Sequence, residues 1–109
     1  MLSVRYLLEQ IRELVVDGEI RISEHGYDEL ADDGLSAREA VAGIFEAAIV
    51  EGYPNYPKGP SVLVLQKARD GSPIHVVWGI PKGYNKPAVL ITAYRPDPAQ
   101  WNEHFMKRK

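Results

Sequence analysis

The stretch Gly52-Tyr53-Pro54-Asn55-Tyr56-Pro57-Lys58-Gly59-Pro60 constrains this chain more than any other, because three prolines and two glycines cannot sit in a helix. It divides the sequence into two halves with different periodicity. Ahead of it, Val4, Leu7, Leu8, Ile11, Leu14 and Val15 recur at the spacing of one helical face. A first helix from Val4 to Val16 is expected, with Ser3 as N-cap and Gly18 as its stop. The alternation Glu19-Ile20-Arg21-Ile22 fits a small strand or an extended link. Ser23 caps a short second helix from Glu24 to about Ala31, ended by Asp33-Gly34. Ser36 with Glu39 three residues on is a capping box. It opens a third predicted helix, Ala37 to Val50, with Ala37, Val41, Ile44, Phe45 and Ala48 on its buried side.

Beyond Pro60 the runs Ser61–Lys67, Pro73–Gly79 and Ala88–Tyr94 are rich in Val, Ile and aromatics and predict three strands. Asp70-Gly71 between the first two signals a two-residue hairpin, which would set Gln66 opposite His75 and Leu65 opposite Val76. The connection 81–87 is longer and basic, and Asp97 followed by Pro98 marks the start of a last short helix running into Trp101. The expected fold is α+β, one domain over residues 1–109, with N-terminal helices on a three- to four-stranded antiparallel sheet and a short C-terminal helix.

Composition narrows the function classes. With no cysteine there is no disulfide framework and no thiol-based zinc site or nucleophile. No apolar run approaches the roughly 20 residues that span a bilayer. Met1 to Tyr6 lack the basic-then-apolar order of a signal peptide, so the cytoplasm is the expected compartment. Residues 1–52 hold twelve acids against four arginines, a net −8, whereas residues 53–109 hold three acids against nine bases, a net +6. Such a dipolar chain would offer a basic face to a polyanion, or simply carry solvated acidic helices and basic loops.

Two histidines are the candidate chemistry. His75 in the second predicted strand would share a polar face with Gln66 and, if the third strand pairs in the matching register, with Thr92 and Tyr94. His25 opens the short acidic helix. Together they would supply the general base and general acid that RNA cleavage through its own 2′-hydroxyl requires, with Arg95, Lys82 or Arg38 stabilising charge on the phosphate. Tyr53, Tyr56 and Tyr84 lie in loops with Lys58, Lys82 and Lys86, a mixture that stacks bases and holds phosphates, or anchors a protein partner. The alternative for His75 is a half-buried sheet residue bonded to Gln66. His104 fits a surface position. No His-x-x-x-His pair occurs and no glycine-rich phosphate loop precedes a helix, so neither a metal nor any other cofactor is implied.

The order of these motifs resembles a known family. His25-Gly26-Tyr27-Asp28-Glu29-Leu30, Gly34-Leu35-Ser36, Pro73-Ile74-His75-Val76-Val77, Leu90-Ile91-Thr92-Ala93-Tyr94-Arg95-Pro96-Asp97-Pro98 and Trp101 resemble the bacterial domain-of-unknown-function family numbered 4258, over roughly residues 20–105. The first helix is then an addition. Such domains look like the RelE/MqsR type of toxin, so the resemblance implies a metal-independent, mRNA-interferase-like ribonuclease or an RNA-binding domain of a toxin–antitoxin pair. A zinc-finger antitoxin is the implied protein partner. It directs attention to His25, His75, Thr92 and Tyr94. The chain departs from its relatives at Glu29 and Asp33, where basic residues are common. A non-catalytic protein-interaction module with a degenerate toxin fold is the alternative reading, and a small-ligand-binding domain a third.

Overall fold

The computed structural model describes residues 3–109. α1 spans Val4–Val16, β1 Ile20–Ile22, α2 Glu24–Asp32 and α3 Ala37–Ala42, followed by a 3-10 turn over Gly43–Glu46. The strands β2 (Ala48–Tyr53), β3 (Ser61–Lys67), β4 (Pro73–Gly79) and β5 (Ala88–Tyr94) complete the chain's regular structure. The three N-caps act as expected: Ser3, Ser23 and Ser36 accept from the amides of Tyr6, Gly26 and Glu39, and Glu39 returns the capping-box bond to Ser36.

The sheet has five strands in the order β1-β5-β4-β3-β2. Four form an antiparallel meander, but β1 pairs with β5 in parallel, so the sheet is mixed rather than antiparallel. The helical segment after β1 carries the chain from one edge of the sheet to the other, and the meander returns it.

Three sequence expectations are corrected here. The third helix does not run to Val50. It ends at Ala42, and the next segment becomes β2 on the free edge of β3. Arg12 of α1 accounts for the break, donating from Nε to the Ile44 carbonyl at 3.0 Å and from Nη2 to the Ala47 carbonyl at 3.0 Å. The Ile44 carbonyl keeps only the 3-10 bond from the Ala47 amide, and Arg12 supplies the donors to both oxygens from outside the segment. Phe45, expected on the buried side, is 47% exposed.

The hairpin register is also different, because the loop holds three residues. The Ala68 amide donates to the Ser72 carbonyl and the Gly71 amide to the Ala68 carbonyl, with Gly71 at φ +87°. That left-handed glycine makes the bulged form of the turn. Leu65 therefore faces His75 and Gln66 faces Ile74. A shift of one residue exchanges the faces of a strand. The helices pack on Val62, Val64, Ile74, Val76, Trp78, Leu90 and Ala93, joined by Leu7, Leu8, Ile11, Leu30 and Ile44. Gln66 falls inside this core. Its Nε2 donates to the Ala40 carbonyl at 2.7 Å and its Oε1 accepts from the Trp78 indole at 3.0 Å.

Finally, there is no C-terminal helix. Asp97 does initiate a turn, with its Oδ1 accepting from the Ala99 amide, but Asn102 ends it. The Asn102 side-chain oxygen accepts from the amides of His104, Met106 and Lys107, which folds the segment back so that Trp101 bridges Arg108. Residues 97–109 thus form a strap. It lies on the outer face of the sheet, away from the helices.

Candidate functional site

The outer face has two ends. At the strap-covered end, His75 of β4 pairs with Tyr94 of β5, and Thr92 lies on the same face opposite Val77. The expected placement of Thr92 and Tyr94 on the face of His75 agrees with this register. His75, however, is fully buried. Its Nε2 is 2.8 Å from the Phe105 carbonyl, and its Nδ1 is 3.1 Å from the Tyr94 hydroxyl. A carbonyl can only accept, so Nε2 carries the proton and Nδ1 accepts from Tyr94. The Trp101 ring meets the imidazole edge-on at 4.4 Å. Burial pushes the His75 imidazole below its ordinary value, with Arg108 acting in the same direction.

Glu51 of β2 closes this end. It accepts from Arg108 Nε at 3.0 Å and from the Tyr53 hydroxyl at 2.8 Å, and Arg108 covers the Trp101 ring at 4.6 Å. The bonds from Arg108 and Tyr53 hold the Glu51 carboxyl below the usual carboxylate range, and burial followed by the Glu51 contact pushes the Tyr53 phenol up to about 12.

The other end is open. A cavity of about 420 Å³ is lined by Arg21, Ser23 and His25 from β1 and the start of α2, by Tyr56, Lys58 and Gly59 from the Pro/Gly loop, and by Ile80, Pro81, Val89 and Ile91 beneath them. Strand alternation explains Arg21: Ile20 and Ile22 pack against the core, so Arg21, opposite Val89, projects to the outer face. Gly59 lets the loop close against β4, since a Cβ there would collide with the Ile80 carbonyl. No aspartate or glutamate lines the cavity, and among the described residues neither Arg21 nor Lys58 has a carboxylate partner. The nearest acid to its histidine is Glu29, whose Oε1 is 3.4 Å from His25 Nε2.

The predicted site residues are therefore separated. His25 lines the cavity and His75 does not. On β4, His75 and Gly79 of the cavity wall are four residues apart, about 13 Å at strand rise. With the strap in place His75 cannot touch a substrate, so the two imidazoles do not flank one phosphate. Arg95, expected as a phosphate cation, is exposed and lies outside the cavity lining, where it braces two elements. Its backbone amide donates to Asp33 Oδ2, its Nε to the Asp33 carbonyl and its Nη1 to Ser72 Oγ, tying the end of α2 to the β3–β4 hairpin. Gln66 is a core residue rather than a substrate contact. Arg38 on α3 and the 74%-exposed Tyr84 lie outside the cavity lining, as does Lys82, whose amide bonds the Lys58 carbonyl at the rim.

Sequence reasoning missed Arg21. The signal was the Ile-Arg-Ile alternation, which places a lone cation opposite two core residues. Among the described residues no group of three or more His, Asp or Glu side chains is arranged to hold a metal ion, and no helix is long and apolar enough to cross a membrane. Comparison with curated proteins and with solved structures returned no match. The model of the DUF4258 family, a domain of unknown function, matches residues 22–95, more than half of the chain and every element from α2 to β5. The chain belongs to the DUF4258 family.

Proposed function

We propose that this protein binds single-stranded RNA in the cavity at the open end of the sheet. The observation that carries the reading is the lining itself. Two cations without carboxylate partners, Arg21 and Lys58, stand with His25 and Tyr56 over the apolar Ile80, Pro81, Val89 and Ile91, and no acid interrupts them. Phosphates take the cations, and an unstacked base takes the tyrosine face and the apolar floor. The volume, about 420 Å³, lies in the range of sites that enclose small ligands.

The reading keeps the RNA-engaging half of a toxin-like domain of the RelE/MqsR type. It does not use the two-histidine mechanism, because His75 is sealed. His25 is the imidazole that a bound phosphate would meet. A cognate antitoxin, under this reading, blocks the groove and competes with RNA. The protein-module alternative draws less support, because the large exposed apolar side chains Tyr6, Val16, Tyr27, Phe45, Tyr56 and Tyr84 come from five separate segments: α1, α2, the 3-10 turn, the Pro/Gly loop and the 81–87 loop.

Fluorescence anisotropy with a labelled RNA oligonucleotide tests the proposal. Substituting Arg21→Ala together with Lys58→Ala should weaken binding at low salt by about tenfold or more and flatten the dependence of log K on log salt by about 1.4, two phosphate contacts at roughly 0.7 each. Lys107→Ala on the strap should leave both unchanged. Equal effects of the groove and strap variants, or no binding by the wild type, would overturn the reading.

A further inference from the structure

We infer that residues 97–109 are a strap latched by neutral His75, and that protonation of His75 releases it from the outer face of the sheet. The inference does not depend on RNA binding. It rests on how little else holds the strap down. Only Trp101 and Pro96 beside it are buried in this part of the chain, and the remaining residues from Asp97 to Lys109 are half-buried or exposed. The anchors are the His75 Nε2–H bond to the Phe105 carbonyl, the edge contact of Trp101 with the same imidazole, and the Arg108–Glu51 pair. Two of the three converge on one titratable ring. Phe105 itself sits at φ 59°, a left-handed conformation that a non-glycine residue gives up when the turn relaxes.

Proton uptake at Nδ1 disturbs this arrangement in two ways. Nδ1 becomes a donor, so the Tyr94 hydroxyl must turn and accept instead of donating. A positive charge is also left without water in a fully buried position. The groups around the ring compensate only in part. The Phe105 carbonyl and Glu51 on β2 favour the cation, but burial outweighs both, Arg108 on the strap opposes it, Glu51 is already bonded to Arg108 and Tyr53, and Tyr94 on β5 is a neutral phenol. Lifting the strap hydrates the imidazole and restores its ordinary affinity for protons.

The sign follows from linkage. Burial depresses the closed-state affinity below the ordinary 6.5, so the open form binds the proton first as pH falls below that value. The opening constant then rises by up to about tenfold per pH unit until the closed form titrates as well.

The test is NMR on the full chain between about pH 7.5 and about pH 5. The amides of Asn102 and Lys109, bonded to the carbonyls of Lys107 and Gln100, report the strap, and the β3–β4 ladder reports the core. After correction for intrinsic exchange, strap protection should fall by up to about tenfold per pH unit below 6.5 while the ladder holds. The Trp101 indole resonance should move with the ring titration of His75. In His75→Gln the strap should exchange independently of pH over this range. Strap protection that persists to the acid end, strap and ladder amides lost together, or acid opening retained in His75→Gln would each overturn the inference. Should His75→Gln fail to fold, the wild-type titration decides alone.

Discussion

The two faces of the sheet are closed by different physics. On the inner face, helices bury Val62, Val64, Ile74, Val76 and Trp78 against Leu7, Ile11, Leu30 and Ile44, with one polar residue, Gln66, fully bonded. On the outer face the strap buries a histidine and a tryptophan and half-buries a tyrosine, through single hydrogen bonds and an ion pair. Aliphatic burial is indifferent to pH and tolerates no cavity. A polar closure is only as strong as the protonation state of its members. The molecule thus has one face that defines the fold and one that responds to conditions, with the open groove beside the responsive end.

The largest expected effect is on the inner face. Ile44→Ala should lower the free energy of unfolding by about 2–5 kcal/mol, equally at neutral and mildly acid pH, as read by denaturant melts. On the outer face, Tyr94→Phe removes the donor to His75 Nδ1 and leaves a buried acceptor unpaired, a loss of about 1–3 kcal/mol. A loss that matches Ile44→Ala in size and spreads through the core would erase the contrast between the faces.

The wild type should itself lose stability as pH drops. His75 has its proton affinity depressed from 6.5 in the folded state, so the unfolded chain binds more protons and stability declines below that value, by at most about 1.4 kcal/mol per pH unit for one proton. Glu39, lowered by its bonds to the Arg69 and Ser36 amides, and Glu51, lowered by Arg108 and Tyr53, contribute stability above their ordinary 4.5 that disappears only as pH falls further. Melts across the range should show two separate windows. His75→Gln should abolish the upper one alone. The smallest effect belongs to the cap of α3: Ser36→Ala, which breaks the capping box, should cost about 0.5–1 kcal/mol at any pH above the carboxylate range.

Much of this architecture was legible locally. The first two helices, their serine caps and the three later strands follow from residues that interact within a few positions of one another. What could not be seen depends on distant partners. Ala48–Val50 continues an apolar helical pattern until Arg12, more than thirty residues upstream, takes the carbonyls of Ile44 and Ala47 and β3 offers an edge. Asp97-Pro98 is a sound helix start, yet Trp101 is drawn onto His75 and Asn102 folds the chain back. Asp70-Gly71 marks a turn, but a two-residue type I′ loop needs both residues left-handed, and only Gly71 is, so the loop holds three. That single residue moved Gln66 into the core. The site suffered for the same reason: His25 and His75 were each visible as titratable residues, but the strap that separates their environments is a tertiary object. Arg21 alone is readable from its neighbours, Ile20 and Ile22.

The most direct test of the functional account is chemical-shift mapping of the ¹⁵N-labelled protein with a short single-stranded RNA at neutral pH. The account predicts perturbations gathered on Arg21, Ser23, His25, Lys58, Ile80 and Val89, with residues 101–109 unmoved. Perturbations centred on the strap or on the acidic surface of α2, or none at saturating RNA, would contradict it.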